Sequence, residues 1–116
     1  MKQKLLLFLS LPFLFFIYSC EKPNLQIEVP SCVEKKIKDL EKNKDANVGA
    51  SVWQWQVDGK KFFYFVSPCC DRFNELFDNS CNRICAPDGG ISGEGDGNCP
   101  EFKGDKIETL VWQSPN

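Results

Sequence analysis

The chain of 116 residues contains no histidine. That removes the Ser-His and Cys-His pairs behind most nucleophilic catalysis, together with the commonest metal ligand. Zinc is left with cysteine and carboxylate, and cysteines of exported proteins are usually oxidised. Basic residues are scarce outside the first positions: without Lys2 and Lys4, 12 basic residues face 16 acidic ones, a net charge of −4. Such a chain lacks the basic cluster that neutralises nucleic-acid phosphate, and charge does not draw it to anionic lipid. It has no internal repeat. Its glycines are not followed by the Lys-Ser/Thr that completes a phosphate cradle. No carboxylate or hydroxyl is marked by its neighbours as an acid, base or nucleophile. The sequence therefore points away from an enzyme, a nucleic-acid partner and any cofactor.

What the chain does have begins with a leader. Lys2 and Lys4 precede an apolar run from Leu5 to Ile17. The run is too short for a spanning helix, which needs about 20 residues, and reads as a secretory signal. It ends in Ile17-Tyr18-Ser19-Cys20, which resembles the lipobox of bacterial lipoproteins, with Tyr18 bulkier than usual. That resemblance implies a diacylglycerol thioether on Cys20, cleavage before it and acylation of the new amino terminus. The expected organisation is a lipoprotein signal peptide at 1–19, a lipidated N-terminus and tether at 20–30, and one folded domain at 31–116. With Cys20 acylated, Cys32, Cys69, Cys70, Cys81, Cys85 and Cys99 remain. Six cysteines in a short exported chain read as three disulfides with 15 possible connectivities.

Within the tether, Leu25, Ile27 and Val29 alternate with polar residues and suggest a short edge strand. Ser31 followed by Glu34 has the spacing of a capping box, and Val33, Ile37 and Leu40 mark one face of a helix from about Cys32 to Asn43. Its lysines read as a solvated face. Two strands, 50–57 and 60–67, flank Asp58-Gly59, a strong hairpin signal. That turn sets a register: Val57 faces Lys60, Trp55 faces Phe62, Trp53 faces Tyr64 and Ser51 faces Val66, with Val52 opposite Phe65 on the other side. Both faces then carry apolar residues. A helix covers only one, so the other must meet the C-terminal segment or stay partly open. The aromatics read as cross-strand core packing in preference to a carbohydrate or peptide platform. Phe73, Leu76 and Phe77, spaced i, i+3, i+4, suggest a second short helix beginning near Asp71. Arg83 to Cys85 reads as a brief strand and Ile107 to Trp112 as a final one.

Five of the eight glycines lie between Cys85 and Cys99. A segment this poor in side chains builds no core of its own and must be held, disulfides being the obvious means. Adjacent Cys69 and Cys70 are expected to tie to two different segments and clamp one point. The pairs as a whole are expected to join the first helix and the glycine-rich loop to the region 69–85. The loop's carboxylates raise the question of calcium. Glu94, Asp96 and Asn98 have the 1, 3, 5 spacing of a calcium loop, but Cys99 stands where that loop needs glycine, and Asp105 at position 12 is shorter than the usual Glu. Asp88, Glu94 and Asp96 are thus weak calcium candidates. The plainer expectation is that Asp88 and Asp96 hold backbone N–H groups in Asx-type turns.

Taken together, Cys69-Cys70-Asp71-x-Phe73, Cys81-Asn82-x-Ile84-Cys85-Ala86-Pro87-Asp88-Gly89-Gly90 and Gly93-x-Gly95-Asp96-Gly97-x-Cys99 resemble an uncharacterised family of small exported bacterial proteins, many of them lipoprotein-like. The resemblance covers roughly 30–113 and is most specific at 69–99. It implies compartment and boundaries, and supplies no catalytic residue. The expected fold is a small disulfide-stapled α+β domain: an N-terminal helix packed on an antiparallel sheet built around a β-hairpin, with a Gly-rich loop. The expected protein is lipid-anchored to a membrane on its extracytoplasmic side and acts as a non-enzymatic binding or structural module, with an unidentified envelope protein as possible partner. The alternatives are an inhibitor-like protein presenting loop 86–98 to an exported hydrolase, and a calcium-stabilised module.

Overall fold

A computed structural model of the chain describes residues 23–69 and 71–115. The expected signal peptide 1–19, the expected acylation position Cys20, and Cys70 lie outside the described residues. Helix α1 runs Ser31–Lys42. The capping box is not formed. Pro30 stands at the N-cap without a side-chain cap, and its carbonyl accepts from the N–H groups of Val33 (3.0 Å) and Glu34 (3.1 Å). Ser31 is thus already inside the helix, and Glu34 instead lies 3.7 Å from Lys38 one turn on. Proline is tolerated at this position because the N–H groups at a helix start have no intrahelical acceptor, so its missing donor costs nothing there.

Five strands follow: β1 Ser51–Val57, β2 Lys60–Val66, β3 Phe73–Asp78, β4 Arg83–Gly89 and β5 Ile107–Gln113. They form one antiparallel sheet in the order β4-β3-β2-β1-β5. The β1–β2 hairpin has the expected register from Ser51↔Val66 to Val57↔Lys60. Asp58 and Gly59 both take positive φ, 51° and 73°, the left-handed pair that a two-residue turn of matching twist requires.

The second helix does not exist; residues 73–78 are β3. The spacing of Phe73, Leu76 and Phe77 fits a helix turn, but alternation fits as well. Leu76 joins the cluster around Trp55, while Phe77 packs edge-on against Phe65 (5.3 Å). A strand between two others buries both faces, which a six-residue helix on the surface cannot do. Strand β4 also runs past Cys85 into the expected loop, through Ala86, Pro87 and Asp88. Pro87 lacks an N–H and is tolerated because β4 is an edge strand. Residues 25–29 form no strand. Leu25, Ile27 and Val29 pack against the core in alternation, and the Gln26 N–H reaches the Val111 carbonyl at 2.8 Å without building a ladder.

The sheet carries a buried cluster on each side. Val33 and Ile37 of α1 join Val52, Phe63, Val111 and Trp112 in one. The other holds Trp55, Leu76 and Cys85, with Trp53, Phe62, Tyr64 and Phe102 packed around them. Residues 99–102, not a helix, cover this second side.

Cys32 bonds Cys81, tying α1 to the β3–β4 turn, and Cys85 bonds Cys99, tying β4 to the end of the glycine-rich segment. These bonds join the helix and that segment to the region 69–85. Cys69 is also disulfide-bonded. Because Cys32, Cys81, Cys85 and Cys99 pair among themselves, the expected clamp from Cys69 to the helix or the glycine-rich segment is not made. The disulfides point to an oxidising, extracytoplasmic environment. Among the described residues, no helix is long and apolar enough to cross a membrane.

Candidate functional site

The glycine-rich segment leaves β4 through a series of tight backbone bonds. The Gly93 N–H donates to Gly90 O (3.2 Å), Gly95 N–H to Gly89 O (3.1 Å) and Asp96 N–H to Ala86 O (3.0 Å). Gly90 N–H donates to Arg72 O (3.0 Å), holding the turn against the start of β3. Two glycines are required by close approach. A Cβ on Gly89 would lie 2.5 Å from the Arg72 carbonyl oxygen, and one on Gly95 would overlap the Ala86 carbonyl. Both also have positive φ, which side chains disfavour.

The polar side chains here are occupied with one another. Tyr64 Oη donates to Asp88 Oδ1 at 2.5 Å, and Asn74 Nδ2 donates to the same oxygen at 2.8 Å. Asn74 Oδ1 in turn accepts the Ser67 N–H at 2.8 Å. Asp88 therefore makes no Asx turn, contrary to expectation: it lies in β4 opposite Asn74, and its carboxylate meets side chains of β2 and β3. Burial, and then the Asp88 carboxylate that holds its proton, push the Tyr64 phenol well above the ordinary tyrosine range. A phenol held this way is a structural donor, not a base.

Asp96 does form the expected Asx turn, accepting the Asn98 N–H at 3.0 Å. Its other oxygen accepts from Arg83 (3.1 Å), whose Nε donates to Glu75 (3.2 Å). The Asn98 N–H foremost, helped by the Ala86 backbone and Arg83, holds the Asp96 carboxyl below its usual range. Glu75 first and Asp96 second raise the Arg83 guanidinium. Asp78 closes the β3–β4 turn by accepting the Ser80 and Asn82 N–H groups, both at 2.9 Å, and Asn82 lowers its pKa most.

Asp88 and Asp96 are thus engaged by protein donors, and Glu94 stands apart from them, exposed. No group of three or more His, Cys, Asp or Glu side chains that could hold a metal ion occurs among the described residues. The three calcium candidates are not brought together as a ligand set.

One apolar side chain in the segment is turned out to solvent. Ile91 sits at the centre of the Gly90–Gly93 turn and is 94% exposed. Gly90 lies against the ring of Phe73, itself 41% exposed. Phe73 in turn lines a groove of about 320 Å³ between α1 and the β2–β3 pair. Leu40, Ala50, Phe65, Val66 and Phe77 supply its apolar wall, and Lys36, Asp39, Arg72 and Glu75 its charged rim. Lys36 Nζ lies 4.2 Å from the Phe77 ring centre. Val48, half-exposed, falls between Asn47 and Ala50, two residues of that lining. Sequence reasoning passed over both features. Ile91 had a local signal, as the one large aliphatic side chain between Cys85 and Cys99. The groove had none, because four separate stretches build it.

A family model described as a domain of unknown function, DUF6970, matches residues 38–114. The chain belongs to the DUF6970 family. The matched span begins inside α1 and contains all five strands, the glycine-rich segment and the Cys85–Cys99 bond. No curated protein and no solved structure matches the chain. On the surface of this DUF6970 domain a tied-down turn and an apolar groove lie side by side.

Proposed function

We propose that this DUF6970 protein is a membrane-anchored extracytoplasmic lipoprotein whose folded domain is a non-enzymatic binding or structural module. The observation that carries the module reading is the use of side chains at the site. Tyr64, Asn74, Asp88, Arg83, Glu75 and Asp96 satisfy one another, while the apolar Ile91 is held out into solvent by a turn fastened on both sides. Catalysis needs polar groups aimed at a substrate; recognition needs a rigid apolar anchor. The anchor reading is supported by the leader that ends at Cys20 and by the oxidised cysteines of the domain.

The inhibitor alternative has less support. Hydrolases that cut peptides bind them extended, along a sheet edge or cleft. Ile91 and Ser92 instead occupy the middle of a reverse turn closed by Gly93 N–H to Gly90 O. A turn of this kind is a knob that fills a hole. Among the described residues the calcium module has no ligand set in its favour.

The anchor is tested in cells fed a clickable fatty acid. The wild-type chain is expected to take up label and sediment with membranes, and Cys20→Ser to do neither. Equal labelling of the two would end the lipoprotein reading.

A further inference from the structure

We infer that the knob and the groove are the two halves of one self-complementary surface, by which two copies of this chain form a closed symmetric dimer. Of the four large apolar side chains left exposed among the described residues, Phe73 and Ile91 meet through Gly90, Val48 flanks the groove lining, and Ile107 lies elsewhere in sequence and sheet. Exposed apolar groups gathered round a groove mark an interaction site. Because knob and groove share one surface, a two-fold axis lets Ile91 of each copy enter the groove of the other. The contact then closes on itself and does not run on into a filament.

Charge favours a second copy as the occupant. Internal pairs account for most of the rim: Glu75 bonds Arg83, Asp39 lies 3.5 Å from Lys42, and Lys36 covers Phe77. Arg72, on the groove, and Glu94, beside the knob, make no ion pair among the described residues. Residues 84–102 carry four acidic side chains and no basic one, so the knob arrives acidic at a groove whose uncommitted charge is Arg72. The same two-fold axis that seats Ile91 brings Arg72 of each copy toward Glu94 of the other. The groove's volume exceeds that of an isoleucine side chain, and the turn's backbone bonds mean that little order has to be imposed on binding.

This proposal rests on the reading of the domain as a binding module, and not on the lipid anchor. Acyl labelling tests the anchor and association tests the surface, so either can fail alone. Two differently tagged copies of the full chain are co-expressed, extracted in mild detergent and purified through one tag. The second tag and the sedimenting mass are then measured. The wild type is expected to sediment as a dimer and to carry the second tag. Ile91→Asp is a fully exposed position and leaves the fold intact, which circular dichroism checks; it is expected to weaken association by about 30-fold or more, the size of a hot-spot loss. Arg72→Glu and Glu94→Arg should each weaken it roughly two- to fivefold, and the two together should restore it. A wild type that sediments as one copy, an Ile91→Asp chain that associates like wild type, or a charge swap that fails to restore association would each overturn the proposal. So would a monomeric wild type carrying some other envelope protein on the groove.

Discussion

The two sides of the sheet solve the same problem by different means. On the helix side, Val33 and Ile37 press on Val52, Phe63 and Val111, all fully buried, and apolar area does the work. Trp112 completes that side with its indole N–H bonded to Glu41 of α1 at 3.0 Å. On the other side only Trp55, Leu76 and Cys85 are core residues of the cluster, and a stretch without helix or strand lies over half-buried aromatics. Trp55 stacks at a tilt on Tyr64 (4.8 Å), meets the edge of Phe102 (6.3 Å) and lies under Lys106 Nζ (4.0 Å). Its indole N–H is nevertheless buried with no partner among the described residues. A segment with little apolar area of its own is held here by one disulfide and a web of short polar ties. Packing secures the first side and tethering the second.

The largest effect separating the two sides should come from the packed one. Phe63→Ala removes a fully buried ring from the helix-side cluster. It is expected to cost about 3–5 kcal/mol and to lower the melting temperature of the whole domain by well over 10 °C. Cys32→Ser breaks a link across 49 positions, worth about 4 kcal/mol in the chain-entropy model. Because α1 is also packed, the helix should stay folded in the native state: the melting point falls, while the native circular dichroism is kept and Cys81 becomes open to alkylation. A variant that melts like wild type would show that packing alone holds the helix.

Breaking the tethered side should act locally before it acts globally. Tyr64→Phe leaves Asp88 with Asn74 alone, and is expected to destabilise by about 1–3 kcal/mol, with greater exchange of amides in residues 86–96 than in β1. The wild-type phenol should resist ionisation in an ultraviolet titration at pH 10, where free tyrosine ionises. Its folded pKa is raised, so its contribution is complete below about pH 10 and is lost as pH rises toward the folded value. At the acid end the sign reverses. Asp78 and Asp96 have lowered pKa values, so the stability they contribute is present above the ordinary carboxylate range of about 4 and lost as pH falls through their folded values. Both carboxylates are half-buried and bonded largely to backbone N–H groups, and the melting point should fall modestly below about pH 4 and hold steady above about 5.

The two tryptophans make the finest comparison. Trp112→Phe takes away a satisfied donor and leaves Glu41 unpaired, whereas Trp55→Phe removes a donor that has no partner. Trp112→Phe should therefore destabilise more, by on the order of 1 kcal/mol. Equal melting points in the two variants would indicate that a water satisfies Trp55.

The same division runs through what the sequence made legible. The helix, the hairpin with its register and the final strand rest on local signals: a 3.6-residue apolar period, strict alternation and the Asp58-Gly59 turn. All lie on or border the packed side. The tethered side departs from its local signals where its partners are distant. Phe73 to Asp78 is a strand because β2 and β4 flank it, which its own spacing does not reveal. Asp88 bonds Tyr64 and Asn74, 24 and 14 positions away, so an Asx turn was the natural but mistaken local reading. Pro87 reads as loop in the sequence because a strand accepts proline only at a sheet edge, and the edge position of β4 is set by the sheet order, not by local residues. At the helix start, Pro30 displaced the Ser31 cap by supplying the first carbonyl itself. Leu25, Ile27 and Val29 showed the alternation of a strand and face the core as one would, without the ladder.

The account turns on one contrast, and amide hydrogen exchange of the Cys85→Ala/Cys99→Ser chain measures it directly against wild type. Removing a bond that spans 14 positions takes away about 3 kcal/mol in the entropy model. If tethering holds the glycine-rich side, residues 86–102 lose most of their protection under native conditions, while α1 and the β1–β2 hairpin stay protected relative to them. If instead protection falls by the same factor in 86–102, α1 and the hairpin, or does not fall in 86–102 at all, the two sides are not held by different means and the contrast is wrong.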